Sequence, residues 1–304
     1  MARNTHFMFG AGASAYSQEL GPCPPLGDGL FDELCKVGPT WDALPEEDKR
    51  RFRSTAGGFE KAMELVRDKH DQNMKRMLTE IGLYFSSFRL FKDNVYLKFV
   101  ECILKHIKNK EDNIYLSTLN YDYLLNLAIE IHWDIYFVPQ LHGSPLYAPQ
   151  TNLHDVDLFG AKVHLESRVQ GILPGDAYEY WNKQLTINGV APVIALYAPS
   201  KPVLYSPSFI QKLQLAWAEG LVACDRIFLI GLRCSSHDIH LWQPIARAPG
   251  RVIFVNPSHR DCEEFSRWAS RERSTKQNQI ITKPFSEFVR LLKLNRIGDA
   301  IVDV

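Results

Sequence analysis

Two short polar segments near the middle of the chain carry residues that could do chemistry together. Asn120 lies in the segment 118–122, and His142 lies in the segment 140–144. An asparagine amide offers both a donor and an acceptor to ribose hydroxyls or to water. A histidine with its ordinary pKa of about 6.5 can accept a proton at neutral pH. Together with a glycine-rich turn at residues 10–14, the pair indicates a site that holds a dinucleotide and attacks its ribose.

The glycine-rich turn fits the pattern of a dinucleotide-binding loop. It directly follows an apolar run at residues 5–9, which predicts a first buried strand. Gly10 permits a tight turn, and Gly12 lets the backbone approach a pyrophosphate at the start of the following helix. The acidic residue that usually holds the adenosine ribose has no clear strand to follow here. A strand-to-helix turn that binds nothing therefore stays open as the alternative.

Asn120 and His142 are predicted at the carboxyl ends of neighbouring strands. Residues 114–119 predict a second strand and residues 134–138 a third, each directly before one of the two polar residues. Ligands of open parallel sheets bind outside the carboxyl ends of the strands, which favours a functional role for both. Simpler roles stay open: helix capping for Asn120 and Asp122, and packing for His142.

Strands that alternate with helices predict an α/β fold with a doubly wound parallel, Rossmann-like sheet, in a single domain of residues 1–304. Residues 40–110 have a helical pattern and are too many for a simple crossover, so they predict an inserted helical subdomain. Residues 145–209 give no clear pattern beyond a strand at 193–197. Later strands are predicted at 226–230 and 252–255, and helices at 123–131, 210–224, 238–247 and 262–273.

Composition argues against several classes of function. Lys+Arg and Asp+Glu both number 35, so no overall charge favours binding to nucleic acid or to an anionic membrane. No apolar run is long enough for a signal peptide or for a membrane span. The six cysteines are scattered and form no C-x-x-C pair, which argues against a zinc ribbon and a disulfide scaffold. The expected location is a reducing cytoplasm.

In their order along the chain, these motifs resemble the NAD-binding motifs of sirtuins. The likeness spans residues 5–258, and its most specific parts are the Asn120 and His142 motifs. It rests on the glycine turn, Thr118-x-Asn120-x-Asp122, Leu141-His142-Gly143, Gly231 and Asn256-Pro257. The resemblance implies that Asn120 and His142 are the catalytic pair. The NAD-binding residues that it implies are Gly10, Ala11, Gly12, Ala13, Ser14, Thr118, Asp122, Gly231 and Asn256.

The chain departs from the sirtuin deacylases in two places. Residues 143–223 contain no cysteine, whereas those deacylases usually carry a four-cysteine zinc module after the catalytic histidine. Residues 22–29 replace the phenylalanine-bearing loop that follows the first glycine motif. What remains resembles the zinc-free, sirtuin-like effectors of bacterial anti-phage defence, which destroy NAD. The resemblance implies a hydrolase that releases nicotinamide and ADP-ribose, with NAD as its substrate, no metal and no further cofactor.

The same resemblance implies control by assembly or by a partner. A toxic NAD hydrolase must be held off until it is triggered, so we expect a homo-oligomer or a separate partner protein that senses infection. Three alternatives remain open: a protein deacylase or ADP-ribosyltransferase, a sensor that binds NAD or ADP-ribose without cleaving it, and a dehydrogenase. The absent cysteines count against the deacylase, the intact Asn120 and His142 against the sensor, and the missing ribose-binding acid against the dehydrogenase.

Overall fold

The computed structural model describes residues 3–54, 58–67, 69–108, 112–132, 138–150, 166–195, 203–235 and 238–294. The strands are β1 (Arg3–Phe9), β2 (Asp112–Thr118), β3 (Tyr147–Pro149), β4 (Val169–Gly171), β5 (Arg226–Ile230), β6 (Arg251–Val255) and β7 (Asn278–Ile281). The helices are α1 (Ala11–Ser14), α2 (Gly27–Val37), α3 (Pro39–Asp42), α4 (Glu46–Ser54), α5 (Gly58–Arg67), α6 (Asp71–Phe85), α7 (Val95–Lys108), α8 (Leu124–Glu130), α9 (Ala177–Thr186), α10 (Pro207–Leu221), α11 (Ile239–Arg247), α12 (His259–Glu272) and α13 (Phe285–Leu294).

The central sheet has five parallel strands in the order β2-β1-β5-β6-β7 and is flanked by helices, which confirms the predicted Rossmann-like α/β fold. Beyond β2, Thr118 forms a parallel bridge with Gln140, next to the predicted third strand. With that segment included, the order matches the 3-2-1-4-5-6 arrangement of dinucleotide-binding sheets. The predicted strand itself, residues 134–138, lies outside the described residues except for Val138.

The central strands β1, β5 and β6 are largely apolar on both faces because helices cover both faces of the sheet there. Phe7 and Phe9 of β1 face one core, where the ring of Phe99 from α7 lies edge-on to them at 5.1 and 5.2 Å between centroids. Met8, on the opposite face of β1, belongs to the second core, which Trp217 of α10 and Trp242 of α11 also enter. Successive side chains of β1 point to opposite faces of the sheet, and each therefore packs against the helices on its own face.

The described residues between β1 and β2 form helices α1 to α7 and the loops that connect them, and α4 to α7 lie within the range 40–110. These helices share an aromatic core in which the rings of Phe31 and Phe52 stack at 4.5 Å and Trp41 packs edge-on against both. No helix among the described residues combines the length and the apolarity needed to cross a bilayer.

The segment without a clear sequence pattern contains the antiparallel pair of β3 and β4, followed by α9. Of the strand predicted at 193–197, Ile194 bridges Gly143 and Ala195 bridges Val203, both in antiparallel fashion. Residues 196–197 lie outside the described part of the chain. This segment therefore lies directly beside the turn that carries His142.

The register of the sheet aligns the carboxyl ends of its strands in one row. Phe9 pairs with Thr118 on one side and with Ile230 on the other, Ile230 pairs with Val255, and Val255 pairs with Ile281. The loops that follow the strands therefore leave the sheet side by side. Any residue one or two positions beyond this row lies at the same edge.

The turn after β5 requires glycine at position 231. Gly231 has φ +65°, and a Cβ atom there would lie 2.3 Å from the backbone nitrogen of Ala13. We expect Gly231→Ala to lower the free energy of unfolding by about 2–4 kcal/mol, from left-handed strain plus the steric clash. Urea denaturation measures this change.

Gly220→Ala is the matched control for that substitution. Gly220 is exposed near the end of α10, and a Cβ atom there would meet nothing within 4 Å. The same chemical change should stabilise the protein by about 0.5–1 kcal/mol, because alanine favours the helix. Equal effects of the two substitutions would show that the turn at Gly231 is not constrained.

Candidate functional site

The predicted site residues converge on one edge of the sheet. Gly10 and Gly231 follow the adjacent strands β1 and β5, and Asn256 follows β6. Because Thr118 pairs with Gln140, Asn120 and His142 each lie two positions beyond that pair. The edge lies where successive connections leave β1 and β5 in opposite directions, the place at which open α/β sheets bind ligands.

Asn120 is fastened to the glycine turn by its own side chain. Its Nδ2 donates to the carbonyl oxygen of Gly10 at 3.1 Å and to Oγ of Ser14 at 2.9 Å. Its backbone N–H donates to Oγ1 of Thr118 at 3.0 Å. Asn120 Oδ1 is buried and accepts no hydrogen bond from any described residue. The structure thus fixes the amide and leaves one buried acceptor for a ligand or a water molecule.

Ser14 and Asp122 form a buried network behind Asn120. Ser14 Oγ donates to Oδ1 of Asp122 at 3.1 Å and lies 3.0 Å from the hydroxyl of Tyr96. Because the Ser14 proton goes to the carboxylate, the Tyr96 hydroxyl donates to Ser14. Burial raises the pKa of Asp122 to about 6. Both Ser14 and Asp122 are thus committed to protein partners.

Asp122 also bonds to the start of α8, although the N-cap position of that helix is Tyr123 and neither Asn120 nor Asp122. Its Oδ1 accepts from the backbone N–H of Leu124, the first residue of α8, at 3.2 Å. The hydrogen bond satisfies one of the amides that a helix start leaves unpaired. Asp122 therefore links the first turn of α8 to Ser14 and the glycine turn.

The backbone amides of the glycine turn are more fully hydrogen-bonded within the protein than the sequence suggests. The helix that follows it, α1, has four residues. The N–H of Gly12 donates to the carbonyl oxygen of Gly231, and that of Ala13 donates to the carbonyl oxygen of Gly10. A phosphate placed here would meet two amides that already have protein acceptors. Ala11 is exposed and Gly12 half-buried, so these two residues form the accessible face of the turn.

Asn256 holds the loop after β5 in place. Its Nδ2 donates to the carbonyl oxygen of Leu232 at 2.8 Å, and its Oδ1 accepts from the N–H of Ser258 at 2.9 Å. Gly231 in turn donates its N–H to the carbonyl oxygen of Val255. Both residues lie at the predicted edge, and the hydrogen bonds of Asn256 serve the loop.

His142 lies against a second histidine that the sequence patterns did not single out. Its Nε2 is 3.1 Å from Nε2 of His240 and 3.9 Å from Oδ1 of Asp238. His240 belongs to the first turn of α11, and Asp238 is the N-cap position of that helix. At hydrogen-bond distance, one ring nitrogen carries the proton and the other accepts it. The Asp-x-His sequence that follows the end of β5 was the signal that could have revealed the pair.

Gln140 is the other residue that the sequence patterns did not reveal. It is fully buried, and its Nε2 donates to the carbonyl oxygens of Asn120 at 3.1 Å and Asp122 at 3.3 Å. One side chain therefore ties the histidine-bearing segment to the asparagine-bearing segment. This bond fixes the relative position of the two motifs beyond the end of the sheet.

Similarity to known proteins does not decide the chemistry of this site. No model of a protein family matches the chain, and no curated protein matches it either. The arrangement of the side chains is therefore the basis for a function. It places an anchored amide and a histidine on neighbouring strand ends, beside a glycine turn.

The raised pKa of Asp122 predicts how stability depends on pH. Between the unfolded pKa of 3.8 and the folded pKa of about 6, the folded state binds more protons than the unfolded state. The free energy of unfolding should therefore fall as the pH rises through this window. Asp122→Asn should abolish that fall, which amounts to about 3 kcal/mol at neutral pH. Urea denaturation from pH 4 to 8 measures the difference.

Asp93→Asn is a control, because the pKa of Asp93 is lowered whereas that of Asp122 is raised. Hydrogen bonds from the N–H groups of Glu19 and Leu20 hold the pKa of Asp93 below its usual value. Its contribution to stability is present above the unfolded pKa of 3.8 and is lost as the pH falls through the lower folded pKa, so Asp93→Asn should leave the slope between pH 4 and 8 unchanged. Parallel pH profiles for wild type and Asp122→Asn would contradict the raised pKa.

Proposed function

We propose that this chain is an NAD hydrolase that cleaves the bond between nicotinamide and ribose. The observation that carries the proposal is the convergence of Asn120 and His142 at the carboxyl edge of a parallel sheet. The resemblance of their motifs to those of sirtuins supplies NAD as the substrate. The anchored amide supports a role in positioning, because three hydrogen bonds fix Asn120 before any ligand arrives.

The reaction requires the bond between C1′ of the ribose and the ring nitrogen of nicotinamide to break. The electron pair of that bond stays with nicotinamide, which leaves as a neutral molecule, and positive charge develops on the ribose. Water attacks C1′ and loses a proton, giving nicotinamide, ADP-ribose and one proton. His142 accepts that proton as general base, and Asn120 Oδ1 accepts a hydrogen bond from the attacking water or a ribose hydroxyl.

The remaining edge residues shape the dinucleotide site. The exposed Ala11 and the half-buried Gly12 offer the face on which the pyrophosphate would lie. Ser14, Thr118 and Asp122 act through the hydrogen bonds that orient Asn120 and the glycine turn. In this proposal they position the pair rather than touch the reacting atoms.

The closed state of the site supports control of the activity. Asn120 and His142 are each only 6% exposed. NAD can therefore reach them only after the loops at the carboxyl edge of the sheet move apart. The 193–195 segment lies against this turn, since Ala195 donates its N–H to the carbonyl oxygen of His142 at 2.7 Å. A trigger that opens the edge, by oligomerisation or by a partner protein, fits an NAD-depleting effector of bacterial anti-phage defence.

Chromatography of NAD incubated with the purified protein tests the proposal. Wild type should release nicotinamide and ADP-ribose, slowly while the edge is mostly closed, and His142→Ala and Asn120→Ala should each lower the rate about 10²-fold or more. The same variants, expressed in bacterial cells, should fail to deplete the NAD pool that wild type depletes when triggered.

Matched controls separate chemistry from general damage. Asn182→Ala in α9 and His259→Ala at the start of α12 remove the same side-chain types from exposed positions, and should leave the rate unchanged. Circular dichroism checks that all variants fold. Cleavage that survives both site substitutions would contradict the assignment. NAD binding without cleavage, both in solution and in cells, would favour a sensor instead.

A further inference from the structure

Three side chains from two distant parts of the chain form a compact donor group, which we call the two-histidine cluster: His142, Asp238 and His240. Each offers one ligand atom, and these atoms all lie within 4.8 Å of one another. The imidazole Nε2 atoms are 3.1 Å apart, and Oδ1 of Asp238 is 3.9 Å from Nε2 of His142. The histidine Nε2 atoms therefore converge with a carboxylate oxygen on one small volume.

This donor set is the one that three-ligand zinc sites use. Two imidazoles and a carboxylate bind Zn²⁺ at about 2.0–2.2 Å and leave a fourth position open for water or a substrate. Tetrahedral ligands at those distances lie roughly 3.3 Å from each other. The 3.1 Å separation of the two nitrogens is close to that value. The Asp238 Oδ1 atom lies farther out, 3.9 Å from Nε2 of His142, so a bound ion would draw the carboxylate inward.

The three side chains of the cluster are largely shielded from water, so a bound ion could be coordinated by protein atoms. His142 is 6% exposed, the Asp238 side chain is 13% exposed, and His240 is half-buried. The three side chains come from two backbone segments. His142 lies on the turn beside β2, and Asp238 and His240 lie at the start of α11. A divalent ion would replace the single proton that the two facing imidazoles can share.

We propose that the two-histidine cluster is a site for a divalent transition-metal ion, with Zn²⁺ as its probe, and that the bound ion blocks NAD cleavage. The ion coordinates through the lone pair of His142 Nε2, which the base needs to accept a proton. The inhibition rests on the proposed function, whereas the metal site does not. The expectation of no metal follows from the resemblance to zinc-free effectors, whereas this cluster is a set of histidine and carboxylate ligands without cysteine.

Isothermal titration of the metal-stripped, reduced full chain with Zn²⁺ tests the site. Wild type should bind one ion per chain at the cluster. His240→Gln and Asp238→Asn should each weaken that binding at least tenfold, and His259→Gln, which removes an exposed histidine elsewhere, should not. Zinc binding of equal strength in wild type and in both cluster variants would overturn the site.

Cobalt substitution separates this site from the free cysteines. Co²⁺ bound by nitrogen and oxygen lacks the thiolate charge-transfer absorption that a cysteine ligand gives. The wild-type spectrum should show d–d bands without that absorption, and the bands should disappear in His240→Gln. A spectrum dominated by thiolate absorption and unchanged in the variant would place the ion elsewhere and overturn the proposal.

Activity measurements test the inhibitory role. Zn²⁺ should slow NAD cleavage by wild type, and the concentration for half-inhibition should rise at least tenfold in Asp238→Asn, relative to the metal-free rate of that variant. Zinc that binds at the cluster and leaves cleavage unchanged would overturn the inhibition. Zinc bound there by a chain that cleaves no NAD in any condition would support the site while the proposed hydrolase fails.

Discussion

The candidate site depends on the hydrogen bonds that converge on Thr118. Its backbone donates to the carbonyl oxygen of Pro139 and accepts from the N–H of Leu141, which attaches the histidine-bearing segment to the sheet. Its hydroxyl donates to the carbonyl oxygen of Phe9 and accepts from the N–H of Asn120. One buried threonine thus fixes the register of β1 and β2 along the strand direction, and with it the positions of both proposed catalytic residues. A shift of one residue in this register would change the position of His142 relative to Asn120.

Next to Thr118, a network of hydrogen-bonded polar side chains is buried at the edge of the apolar sheet. Asn120, Ser14, Tyr96 and Asp122 share hydrogen bonds away from water, and the desolvation of Asp122 is the main cause of its raised pKa. In a medium of low dielectric constant such bonds are strong when complete and costly when one partner is missing. The network therefore specifies a single arrangement of the glycine turn, at the expense of some stability at neutral pH.

The sequence was sufficient for the parts of the fold that bury regular apolar patterns. β5 is apolar at every position after Arg226, and its predicted bounds agree with the structure. The edge strand β7 escaped prediction because its four residues include two polar ones and are mostly half-buried, which leaves no pattern. The helix α13 also went unassigned, although Phe285, Phe288, Val289 and Leu292 have helical spacing on its buried face.

The site was predictable where a motif is local and not where contacts are long-range. Asn120 and His142 stand out because each directly follows a predicted strand. His240 approaches His142 across 98 positions of sequence, so the Asp-x-His sequence near it does not reveal its partner. Gln140 bonds to backbone atoms, so that contact leaves no pattern of side chains. The closure of the glycine turn by Gly231 depends in the same way on the pairing of β1 with β5. Such contacts follow from the sheet topology, which no short segment encodes.

The position of β1 between β2 and β5 has a consequence for how the protein is made. On the ribosome, β1 and β2 emerge with Gly10 and Asn120 long before β5 and its turn are synthesised. Until then, β1 has an unpaired edge, and the amide of Gly12 lacks its acceptor at Gly231. The nascent chain therefore carries Gly10 and Asn120 before the turn at Gly231 that closes the candidate site has been made. Because pairing between strands that are distant in the sequence is slow, the candidate site is completed only late in folding.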